Sequence, residues 1–141
     1  MIKPLITVFL FLFLINCTSQ KRDEEQITET VQKFWSAVRD DNEEKYLSLI
    51  DNSEGDLKLA MLDQLHFLHR NYNKINKEIE KQGIQIKNTN ELGPQKAVEY
   101  TFNKPATDVR PLSVQLFFFK PQGYQTIFNV RILGNLPAWE N

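Results

Sequence analysis

The feature that most constrains this chain is a change of hydrophobic period at Gly83. Before it, apolar residues recur at helical spacing; after it, they alternate. From Ile27, the residues Val31, Phe34, Trp35 and Val38 follow at offsets of four, seven, eight and eleven, one face of an amphipathic helix expected over residues 24–39. Asp40-Asp41-Asn42 then offers capping side chains, and Tyr46, Leu47, Leu49 and Ile50 belong to a short second helix over residues 43–50. Gly55-Asp56 opens a third, in which Leu57, Met61, Leu65, Leu68, Tyr72, Ile75 and Ile79 keep a period near 3.6 up to Gly83, with a break expected at Asn71 or Asn73.

Beyond Gly83, four strands are expected, at residues 84–87, 95–103, 112–119 and 124–133. Lys104 to Pro111, with two prolines, forms the break between the middle pair, and Lys120-Pro121-Gln122-Gly123 suits a type I turn. Three helices followed by an antiparallel sheet make an α+β domain with the helices on one sheet face. A chain of 141 residues with 41% hydrophobic and 25% charged residues has room for one such core.

Ahead of the domain, Lys3 precedes an apolar run from Leu5 to Ile15 interrupted only by Thr7, the layout of an export signal. That run is shorter than the roughly 20 residues needed to cross a bilayer. Small residues, which ordinary signal cleavage favours, are missing from Leu14-Ile15-Asn16. Leu14-Ile15-Asn16-Cys17 instead resembles the bacterial lipobox, in which the cysteine is acylated and becomes the mature amino terminus; Asn16 departs from the usual small residue. The resemblance implies a signal peptide over residues 1–16, lipid on Cys17, and a tether over residues 17–23. A cysteine that is never modified is the competing reading, because the chain's single thiol cannot form an internal disulfide.

Thr18, where an inner-membrane retention signal would carry Asp, implies the bacterial outer membrane, on its periplasmic face or at the cell surface. Lys21-Arg22-Asp23-Glu24-Glu25 resembles a surface-export tag of some bacterial lipoproteins; the acidic residues also suit the positive end of the following helix.

TETVQKFWSAVRDDNEEKYLSLID, AVEYTF and LSVQLFFFKPQGYQTIFNVRI, in this order of elements, resemble the nuclear-transport-factor-two-like (cystatin-like) superfamily and its small envelope lipoproteins. The resemblance covers residues 24–133 and leaves 134–141 as a tail. It implies a curved sheet closing a cone with the helices. Enzymes of that superfamily move protons in the cone with buried Asp, Tyr or His groups. The candidate pocket is Trp35, Tyr46, Tyr100, Phe118 and Tyr124; on the inward strand positions the tyrosine hydroxyls are the only polar handles. No general base is evident: Glu99 alternates to the other face, and Ser113 has no histidine beside it. The expected function is therefore noncatalytic binding or protein interaction, the alternative being a small hydrolase or isomerase using the tyrosine-lined pocket.

His66 and His69 project about 140° and about 80° from the apolar stripe of their helix, so neither aims at the core. With the one thiol expected to carry lipid, no metal site and no cofactor are expected. Asp40-Asp41 could be imagined as acid and base, but suits a cap and turn. Removing residues 1–16 takes away only Lys3 and leaves 16 basic against 18 acidic residues, so nucleic acid is not an expected partner. On the opposite sheet face, Phe117, Phe119 and Ile127 form a candidate interface for a homodimer or an envelope protein. The alternatives are that the tail from Leu133 to Trp139 covers this face or that the strand is buried on both sides.

Overall fold

The computed structural model describes residues 3–91, 93–103 and 110–139, the side chains of 3–18, 137 and 138 excepted. The first helix, α1, runs Lys3–Arg39. It includes the export run and the tether, both expected to lie outside the helix, and the whole span is helical without a break. Its domain half buries the stripe read from the sequence: Ile27, Val31, Phe34, Trp35 and Val38 all lie in the core. The helix ends where Asp41 adopts a left-handed backbone, φ 49°. Asn42 caps the next helix, α2 (Glu43–Ser48), by accepting the Lys45 N–H at 2.9 Å. Asp40 takes no part in that cap; the neighbouring Arg39 guanidinium, bonding at 2.8 Å, holds its carboxyl below the usual carboxylate range.

The third helix, α3, spans Leu57–Gln82 and passes Asn71 and Asn73 intact. Asn71, placed mid-helix, turns its amide back to the Phe67 carbonyl at 2.9 Å, which lets a polar residue sit buried without a break. Gly83, φ 63°, ends the helix with its N–H on the Ile79 carbonyl.

Four strands follow in the spatial order of the sequence, β1 (Ile86–Thr89), β2 (Gln95–Phe102), β3 (Leu112–Phe118) and β4 (Asn129–Leu133), each pair antiparallel. The first starts two residues later than expected, because Ile86, not Ile84, pairs with Val98. The break expected over Lys104 to Pro111 falls outside the described residues except for Arg110 and Pro111. Register aligns Val98, Leu116 and Val130 across one face, and Tyr100, Val114 and Ile132 beside them. This is the helix-facing set, and α1 and α3 pack against it.

The fourth strand is shorter than the expected 124–133. After the 3-10 turn Lys120–Gln122, the chain from Gly123 to Phe128 is irregular. The Phe128 N–H donates to the Phe117 carbonyl at 2.8 Å while Asn129 stands opposite Phe117, two residues against one. This bulge breaks the alternation. Ile127, expected on the outer face, is therefore buried on the helix side, where it pairs with Ile50: its N–H meets the Leu49 carbonyl at 2.7 Å and its carbonyl accepts from Asp51 at 2.9 Å.

Among its described residues, the tail turns away from the outer sheet face. Gly134 lets it leave β4 against β3; a Cβ there would stand 2.8 Å from the Pro111 carbonyl oxygen. The 3-10 turn Leu136–Trp139 then brings Trp139 into the core, with its carbonyl accepting from Lys74 of α3 at 3.4 Å.

Candidate functional site

The space between helices and sheet is filled by a chain of aromatic rings. Tyr46 meets Phe34 at 5.3 Å, Phe34 meets Trp35 edge-on at 5.1 Å, Trp35 meets Tyr100 edge-on at 5.2 Å, and Tyr100 stacks beside Phe102 at 6.3 Å. Each contact adds about 0.5–1.5 kcal/mol beyond the area it buries. Three polar atoms are trapped in this packing with no hydrogen-bond partner: Trp35 Nε1, Tyr46 Oη and Tyr100 Oη.

A slot of about 240 Å³ reaches two of those residues from the surface. Its apolar walls are Trp35, Tyr72, Ile79, Ile84 and Tyr100, and its rim carries Gln32, Ser36, Arg39 and Glu80. Helical spacing builds most of one wall, since residues 32, 35, 36 and 39 share a face of α1. Tyr100 comes from the centre of β2 and is 1% exposed; Trp35 is 6% exposed. The slot is smaller than the roughly 300–1,000 Å³ of drug-sized sites, which limits a ligand to a small molecule.

Of the expected pocket residues, Trp35 and Tyr100 meet in this slot. Tyr46 and Phe118 are wholly buried elsewhere in the core. Tyr124, also buried, sits by the first turns of α1's packed face, where its backbone carbonyl accepts from the Thr30 hydroxyl at 2.8 Å. Sequence reasoning missed the rim. The clue was present in the polar residues that flank Trp35 at helical spacing.

The electrostatics make these tyrosines donors and poor bases. Burial pushes the Tyr46 phenol well above its ordinary value. Burial also raises Tyr100, with the neighbouring Trp35 indole offsetting part of the effect although the pair falls short of hydrogen-bond geometry. Tyr124 is raised by burial and by the Asp23 charge, which Lys120 counters in part. A tyrosine that removes protons near neutrality needs the opposite shift.

An unpartnered hydroxyl is a stability cost, so Tyr46→Phe is expected to raise unfolding free energy by about 1 kcal/mol at neutral pH. Because the folded-state value of Tyr46 lies above the unfolded one, the stability of the unaltered protein is insensitive to this group below about pH 10 and falls above it by up to about 1.4 kcal/mol per pH unit for the one proton. The variant should lose stability less steeply between about pH 10 and pH 12. Urea titrations across that range check both effects; a destabilised variant with an unchanged alkaline slope would contradict them.

The histidines serve as ties between helices. His69 Nδ1 donates to the Val38 carbonyl at 3.0 Å, and His66 Nε2 lies 3.2 Å from Glu43 and 3.9 Å from Asp41. Among the described residues, no group of three or more His, Cys, Asp or Glu side chains has an arrangement suited to a metal ion. The Cys17 side chain lies outside the described residues, and among those described no helix is long and apolar enough to cross a membrane.

The expected interface also changes. Phe117 does stand on the outer face but is only 3% exposed, with the Arg131 guanidinium 4.9 Å above its ring. Arg131 is held there by Glu91 at 3.1 Å, although β4 and the β1–β2 connection belong to opposite edges of the sheet. The connection therefore leans across the face. Phe119 is half-buried against Phe128, ring centres 5.5 Å apart, and Ile127 is internal. What the outer face presents is polar: Glu99 accepts from Ser113 at 3.0 Å and from Gln115 at 3.1 Å. The chain matches no protein-family model, no curated protein and no solved structure.

Proposed function

We propose that this chain is a lipid-anchored protein of the bacterial envelope whose α+β domain, a cone of the nuclear-transport-factor-two-like kind, binds a small molecule without transforming it. The observation that carries the binding reading is the slot, apolar in its walls, two of whose lining residues, Trp35 and Tyr100, hold an orphaned N–H and O–H buried behind its surface. Those two groups are donors, so a small side-chain shift that uncovers either one suits a compact, largely apolar molecule with an acceptor oxygen at its buried end. The hydrolase or isomerase alternative gains no support from tyrosines held protonated. Lipid on Cys17 would attach the protein to the outer membrane. Packing of the domain begins at Ile27, ten residues further on, so removal of residues 1–16 leaves the core whole. The intervening helix would act as a spacer of about 15 Å.

The test uses nitrogen-labelled protein, in which the two tryptophans give separate indole N–H signals assigned through Trp139→Phe. Acetophenone should move the Trp35 signal downfield, ethylbenzene should not, and Tyr100→Phe should weaken acetophenone binding about fivefold, the worth of one hydrogen bond. A Trp35 signal unmoved by either compound would refute the slot as a binding site.

A further inference from the structure

In the order β1-β2-β3-β4, the last strand is an edge. The Val130 carbonyl accepts from Gln64 Nε2 of α3 at 3.4 Å and so points away from β3. In an antiparallel ladder, a residue's N–H and C=O point the same way and residues two apart agree, so Val130 and Ile132 both present backbone donors and acceptors on the free side. Two clefts of about 400 and 440 Å³ lie along this side and share Ala60 and Gln64. Leu57, Met61 and Phe128 line the first; Phe67, Ile132 and Leu136 line the second.

The charge along this edge is polarised. Asp51, Glu54, Asp56 and Asp63 outnumber Lys58 toward the start of α3, whereas Arg70 follows further along it, past His66, which sits against Asp41 and Glu43. The helix and strand run in the same direction, since Leu57 lies near Phe128, Gln64 meets Val130 and Lys74 meets Trp139. A two-fold axis that reverses the strand therefore reverses the helix too. It sets the acidic start of α3 in one copy, Asp63 included, toward Arg70 of the other.

We propose that two copies of the chain join through their β4 edges, antiparallel about Arg131, into one continuous sheet. In this register Val130 stands opposite the partner's Ile132 and Ile132 opposite the partner's Val130, so the outward N–H and C=O groups of both residues are paired across the edge, the Val130 carbonyl accepting on its second lone pair beside Gln64. Asp63 approaches the partner's Arg70. Leu59, 72% exposed on the same side of α3, is covered. The two Arg131 side chains stand opposite each other on the outer face, where each is neutralised by its own Glu91. The association is independent of the ligand slot and differs from pairing through the outer sheet face.

The test uses the full chain in nonionic detergent with Cys17→Ala, so that an introduced thiol is the only one. Opposed residues in a non-hydrogen-bonded pair have Cα atoms about 4.5 Å apart, within disulfide reach. Arg131→Cys should form a linked dimer under mild oxidation at least about tenfold faster than Glu99→Cys, which shares the outer face but lies on β2. Separately, Asp63→Arg should weaken self-association about tenfold in sedimentation measurements, and adding Arg70→Asp should restore it. Equal cross-linking by the two cysteines, a chain that stays monomeric, or a charge swap that rescues nothing would each overturn the edge pairing.

Discussion

Phe34→Ala is expected to cost about 3–5 kcal/mol, a large share of the roughly 5–15 kcal/mol that holds a domain folded. The side chain is wholly buried, and its ring is the link between Tyr46 of α2 and Trp35, which in turn contacts Tyr100 of the sheet. Removing it opens a void where three elements meet, and no neighbour can fill that void without leaving its own aromatic partner. The midpoint of urea unfolding should fall with little change in slope. Phe34→Leu, which keeps most of the volume, should cost much less. A loss below about 1 kcal/mol for the alanine variant would mean that the ring chain is not the centre of the core.

Cys17→Ala is expected to move nearly all of the protein from the membrane fraction to the soluble fraction and to abolish incorporation of labelled palmitate. The size of the effect follows from the anchor. Each buried methylene contributes about 0.8 kcal/mol, and stable attachment takes more than one chain. No other lipid attachment is proposed, and among the described residues no helix spans a bilayer. Folding should be unaffected, because residues 19–26 are exposed or half-buried and the packed face starts at Ile27. A variant that stays with the membrane would place the anchor elsewhere.

How much the sequence revealed varies by element, for physical reasons. The buried face of α1 was readable because a helix must present a fixed angular stripe to a core, and Ile27, Val31, Phe34, Trp35 and Val38 occupy it. The inward set on β2 and β3 followed from strict alternation. Alternation failed at Ile127 because the bulge at Phe128 and Asn129 shifts the register by one residue, and nothing local in TIFNV announces a bulge. Phe117 was correctly placed on the outer face, yet its cover depends on Glu91 meeting Arg131, residues forty apart in sequence. Long-range contacts of that kind leave no periodic trace.

The slot was half visible. Trp35 and Tyr100 stood out as aromatic residues on inward positions, but their meeting depends on how α1 lies over β2. Tyr46 and Phe118 were equally inward and ended as packing alone. Cover of the outer face by the tail was one of the alternatives to an interface there; Trp139 instead joins the core, because Gly134 directs the chain past Pro111 toward α3.

The measurement that tests the central claim most directly is the intact mass of the protein isolated from bacterial membranes. The account predicts a chain that begins at Cys17 and carries the added mass of its acyl chains. A mass corresponding to all 141 residues without lipid, or to a chain cut at another position, would contradict it.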